Sequence, residues 1–97
     1  MRTLKIQWTI QAQASLKTIY LYHKENSSQG ANKLRNEIFN KVRNIRFAQQ
    51  YQVDEINPKY RRIIVRHYKI LYQEIQDTLW VMDLISTRQS PEVIKKR

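Results

Sequence analysis

The chain predicts an α+β fold in which a helical hairpin packs on one face of a mostly antiparallel sheet. Three observations lead there. Residues 60–72, YRRIIVRHYKILY, alternate β-branched and aromatic side chains with polar ones, as half-buried strands do. Between residues 10 and 47, apolar residues recur every three or four positions, the period of amphipathic helices. Residues 78–85, TLWVMDLI, leave almost no polar face, which suits a central strand covered on both sides.

In chain order, Leu4, Ile6 and Trp8 alternate with Lys5 and Gln7, so a first strand is expected over residues 3–8. Thr9 is placed to cap a first helix, Ile10 to Lys24, whose stripe is Ala12, Leu16, Ile19 and Tyr22 or His23. Residues 25–28, ENSS, break that pattern and supply the next cap. A second helix then runs from Ser28 to about Phe47 on Ala31, Leu34, Ile38, Val42 and Ile45. Its first turn holds the only glycine, Gly30, where the cost is below the roughly 1 kcal/mol of a mid-helix site. Lys17, Lys33, Arg35, Lys41 and Arg43 fall on the other face and read as solvated.

From Gln49 to Lys59 the periodicity fades and Asn57-Pro58 marks a turn, with room for a short edge strand at residues 51–53. Two strands follow, Tyr60 to Val65 and Tyr68 to Tyr72. Ile63, Val65, Tyr68, Ile70 and Tyr72 form their core row. If Arg66-His67 is a tight turn, Arg62 and Lys69 share the opposite face. That turn lacks the usual Gly or Asn, so a longer or bulged connection stays open. A turn at Gln76-Asp77 leads into the last strand, whose one charge, Asp83, is expected beside an arginine. Residues 86–96 read as an exit segment with a short helix after Pro91. Trp8 and Trp80 read as core anchors. In this order of elements the sheet's second face is free to bind.

A chain of 97 residues reads as one domain, 1–97, large enough to fold without staples. It has no cysteine, which excludes disulfides and thiolate chemistry and is compatible with a reducing cytoplasm. No apolar run approaches the roughly 20 residues of a membrane span, and no signal peptide is apparent, so a soluble cytoplasmic protein is expected. Eighteen Lys and Arg against eight Asp and Glu give a net charge of +10, which favours an acidic or polyanionic partner. The excess clusters at residues 59–69 and at Lys95, Lys96 and Arg97. Charge alone does not separate nucleic acid from an acidic protein.

The two histidines, His23 and His67, lack a close Asp or Glu cluster, which argues against a metal site or a Ser-His-Asp triad. A single glycine leaves no phosphate-binding loop, and no cofactor is expected. His23 reads as a helix-end residue, and His67 as a turn residue that stays a candidate general base. What remains is a set of cations, Arg62, Lys69 and Arg88, that the sheet could gather. Such a set can stabilise a phosphoryl transition state, or grip an acidic protein chain.

Order and residues together resemble the RelE/ParE superfamily of type II toxins. Trp8-Thr9, Ala12, Leu16, Ile19 and Tyr22, then Ala31 and Leu34, are similar to the family's helical hairpin. Arg62, the Tyr68-Lys69-Ile70-Leu71-Tyr72 strand and Arg88 are similar to its C-terminal half. The resemblance implies a growth-inhibiting toxin, of the kind involved in plasmid stabilization, held inactive by an acidic antitoxin in a hetero-oligomer. Two activities compete within it. RelE-like members are ribosome-dependent mRNA endonucleases, for which Arg62, His67, Lys69 and Arg88 are the catalytic candidates. ParE-like members poison DNA gyrase without catalysis. Ile94 stands where the nuclease tyrosine would align, and a hydrocarbon cannot move a proton. The long first helix also looks more like ParE, so gyrase poisoning is favoured. In either case Arg61, Arg62, Arg66, Lys69 and Arg88 are the expected contacts to target or antitoxin. A third reading is a non-toxic nucleic-acid-binding module.

Overall fold

A computed structural model of the chain describes residues 4–88. Thr3, the expected helix after Pro91, Ile94 and the basic residues 95–97 lie outside the described residues. The elements are β1 (Lys5–Trp8), α1 (Ile10–Lys24), α2 (Ser28–Arg43), a 3-10 turn (Ala48–Gln50), β2 (Arg61–Val65), β3 (Tyr68–Ile75) and β4 (Thr78–Ser86). The sheet order is β1-β4-β3-β2, with β1 parallel to β4 and the other pairs antiparallel. This is the predicted α+β arrangement, with β4 and β3 central.

Both helices start where a side chain caps them. The Thr9 hydroxyl accepts from Ala12 N–H at 3.0 Å, and the Ser27 hydroxyl from Gly30 N–H at 2.9 Å. α2 stops at Arg43 rather than Phe47. Beyond it, Gln50 takes the Arg46 N–H at 2.8 Å, and the chain tightens into the 3-10 turn. Ile45 and Ala48 stay buried, so the apolar spacing carries on in a different backbone.

Thr9 also ties α1 to the sheet. Its N–H donates to Val81 O at 3.0 Å and its hydroxyl to Met82 O at 2.9 Å. These carbonyls belong to a bulge in β4, where Leu71 faces Asp83 but Tyr72 faces Val81. The extra residue resets the alternation, so that Leu79, Val81 and Leu84 all meet the helices while Ile85 faces the other side. Asp83 accepts from the Ser15 hydroxyl of α1 and from Leu84 N–H.

The hairpin β2–β3 closes in two residues, with Arg66 in the left-handed region at φ 54° and Val65 opposite Tyr68. No bulge is needed. A bidentate ion pair from Arg66 to Glu37 of α2, with contacts of 2.8 and 3.2 Å, holds the turn although it lacks glycine. The Arg66 guanidinium in turn holds the Glu37 carboxyl below its usual range. At Gln76-Asp77 both residues have positive φ, 46° and 66°, the geometry of a tight hairpin turn.

The main core lies between helices and sheet, with Ile38, Ile70, Tyr72, Leu79 and Val81 fully buried. Tyr72 donates from its hydroxyl to Ala48 O at 2.7 Å, and burial raises its pKa. Trp8 packs edge-on against Phe39 with ring centres 5.4 Å apart. Trp80 corrects the sequence reading: between Leu79 and Val81 it faces away from the helices and stands outside the main core.

The sheet's second face is only partly free. Residues 51–60 form a strap across it, joined to β2 by a single Val53–Arg61 bridge instead of the expected edge strand. Arg62 N–H donates to Gln52 O and Asp54 N–H to Tyr60 O, while Ile56 and Tyr60 pack over Leu71 and Ile85.

Candidate functional site

The predicted cations separate into distinct environments. Arg62 and Lys69 do share the second face, as the alternation requires, but the strap's Asp54 occupies them. Lys69 Nζ lies 2.8 Å from Asp54 Oδ1, and Arg62 Nε 3.4 Å from the same atom. The other Asp54 oxygen accepts from the N–H groups of Ile56 and Asn57 at 3.1 and 2.8 Å. Asp54 is wholly buried, and the two cationic side chains are only 12–14% exposed. Burial by itself raises the Asp54 carboxyl. The Lys69 hydrogen bond, the Asn57 N–H, the Lys69 charge and the Ile56 N–H outweigh that, and its pKa is lowered.

Arg88 does not join that pair. Its Nη2 lies 2.9 Å from His67 Nε2, beyond the end of β4, where Thr87 donates to the His67 carbonyl. Arg66 is held by Glu37, and Arg61 donates to Tyr51 O at 2.9 Å. So the expected cluster of Arg62, Lys69 and Arg88 is two sites, and the first is filled from within. A carboxylate that accepts from residues two and three positions on is a recognisable Asx pattern, the one local signal for Asp54.

A second surface was not legible in the sequence. β1 is an edge strand, and beside it runs a groove of about 530 Å³ between α1, α2 and the sheet. Ile6, Trp8, Leu16 and Phe39 supply its apolar floor. Its rim carries Lys17 and Arg35. The Arg35 guanidinium sits 4.5 Å over the Tyr20 ring, and both residues bond Asn32 Oδ1, so this corner of the rim is fixed in place. A smaller hollow continues past Trp8 and Phe39 to Val42 and Arg43. Among the described residues, no acidic side chain lines either one.

Among the described residues, no group of three or more His, Cys, Asp or Glu is placed to hold a metal, and no helix is long and apolar enough to cross a membrane.

The comparisons bear on the whole arrangement. No curated protein matches the chain. Among solved structures, the chromosomal ParDE TA system from P. aeruginosa has a TM-score of 0.76 at 16% identity, covering 87% of this chain and 96% of that one. At that identity the likeness speaks for the fold. The sequence pattern described as the ParE toxin of type II toxin-antitoxin system, parDE, matches residues 6–91. With nearly the whole chain inside that match, and with strand, helical hairpin and antiparallel strands in the order expected, the chain belongs to the ParE toxin family of type II toxin–antitoxin systems.

Proposed function

We propose that the protein is a ParE-like inhibitor of DNA gyrase, restrained by an acidic antitoxin that docks in the groove beside β1. The observation that carries the first half is Asp54. A ribosome-dependent nuclease needs Arg62 and Lys69 open to a scissile phosphate, and here a buried carboxylate holds both. That supports inhibition by binding over inhibition by catalysis. The family match supports a toxin, and the solved relative described as a ParDE system supports an antitoxin partner.

The groove supports the second half. Its floor is apolar, its rim is basic, and β1 is an edge strand beside it, unpaired on its outer side among the described residues. An amphipathic segment rich in Asp and Glu fits all three features. The protein remains one domain in this reading, acts in the cytoplasm and needs no cofactor.

The experiment is a gyrase supercoiling assay with purified protein, with and without the acidic product of an adjoining reading frame. Supercoiling should be blocked by the protein alone and restored by the partner. Unimpaired supercoiling at micromolar protein would refute the gyrase reading. Restoration that survives Phe39→Asp in the groove would refute the docking site.

A further inference from the structure

One end of the sheet gathers polar side chains that neither the strap nor the groove uses. At the C-terminal end of α1, the Tyr22 and His23 rings meet edge-on with centres 5.2 Å apart. His23 Nε2 is 2.7 Å from the Tyr68 hydroxyl at the start of β3. Tyr68 lies opposite Ser86 in the sheet, two residues before Arg88. Arg88 in turn bonds His67, next to Tyr68. Burial raises the Tyr68 pKa, Tyr22 adds to that and the Arg88 charge opposes it.

Charge compensation sets Arg88 apart from the cations of residues 62–69. Arg62 and Lys69 are held by Asp54, and Arg66 by Glu37. Arg88 is exposed, and among the described residues no carboxylate pairs with it. Its contact with His67 engages one corner of a five-donor fork. Tyr22, joined to this end of the sheet through His23 and Tyr68, is 64% exposed, a large aromatic ring presented to solvent. A cationic fork that binds phosphate oxygens next to an open aromatic face is the recognition chemistry of an unpaired nucleotide.

We infer that Arg88 and His67 bind a phosphodiester and Tyr22 stacks on the adjoining unpaired base, the His23–Tyr68 pair holding the two halves in place. This goes beyond the gyrase reading and is tested without gyrase. Single-stranded DNA and single-stranded RNA share the chemistry, and separate labelled oligonucleotides distinguish them.

The test is fluorescence anisotropy of the purified full-length protein with each oligonucleotide across a range of salt. Arg88→Gln should weaken binding about tenfold and lower the salt slope by about one. Tyr22→Ala should weaken it about tenfold and leave the slope unchanged. Lys33→Gln, which removes the same charge from the exposed face of α2, serves as the control. Thermal melts of each variant report whether it is folded. Preferred binding of DNA or of RNA identifies the source of the nucleotide. The inference is overturned if neither binds, if Arg88→Gln behaves like Lys33→Gln, or if Tyr22→Ala has no effect and duplex binds as well as single strand.

Discussion

Lys69 Nζ donates to Asp54 Oδ1 at 2.8 Å, across 15 positions of sequence, and Arg62 Nε approaches the same oxygen at 3.4 Å. This contact turns the part of the second face around Leu71 and Ile85 into an interior. It brings the strap down over Leu71 and Ile85 and takes two cations out of solvent. Fold and function meet here, because the cations best placed for phosphate chemistry already hold an anion.

Removing Lys69 should leave the buried Asp54 carboxylate with Arg62, the more distant cation at 3.4 Å, as its remaining ion-pair partner. Lys69→Ala is expected to destabilise the protein by about 3–5 kcal/mol, the usual range for breaking a buried pair from one side. Urea midpoints measure it. The double variant Asp54→Asn, Lys69→Met should lose much less than the sum of its single changes. Strict additivity would mean that the two groups are not coupled.

The same carboxylate sets an acid limit. Its pKa is lowered in the folded chain, so its contribution is complete above the unfolded value of about 4 and is lost as pH falls through the folded value. Melting temperature should therefore drop below about pH 4. Asp54→Asn should flatten that part of the profile. An unchanged acid limb in the variant would assign the loss to other carboxylates.

Helix-side packing gives a third test. Ile38 is fully buried and Leu16 is 8% exposed, both in the core between hairpin and sheet. Ile38→Ala should cost about 2–5 kcal/mol, and Leu16→Ala should fall toward the lower end because its site can collapse. Denaturant midpoints unaffected by either substitution would contradict helices packed on the sheet.

Affinity for the antitoxin should fall as salt rises, because Lys17 and Arg35 on the groove rim are exposed enough to be screened. Trp8 lines the same groove, so its fluorescence should report binding. Salt-independent affinity with an unchanged Trp8 signal would place the partner elsewhere.

Much of this architecture was legible in the sequence, for reasons that are local. α1 runs over the expected residues because Thr9 caps it and the ENSS stretch ends it, both short-range effects. The Arg66-His67 turn was readable as a tight turn, but what holds it was not, since Glu37 lies 29 positions away. Alternation put Arg62 and Lys69 on one face. It could not say that a carboxylate from an aperiodic segment would come to rest between them. The groove stayed hidden for a similar reason. Phe39 and Tyr20 look like ordinary helix residues until β1 takes the sheet edge beside them.

The most direct measurement compares gyrase supercoiling with mRNA cleavage on translating ribosomes, using one preparation of the protein alongside Arg62→Ala and Lys69→Ala. The account predicts inhibited supercoiling, intact mRNA, and losses in the two variants that follow their loss of folded protein. Codon-specific mRNA cleavage, abolished in a variant that keeps the wild-type melting temperature, would contradict it.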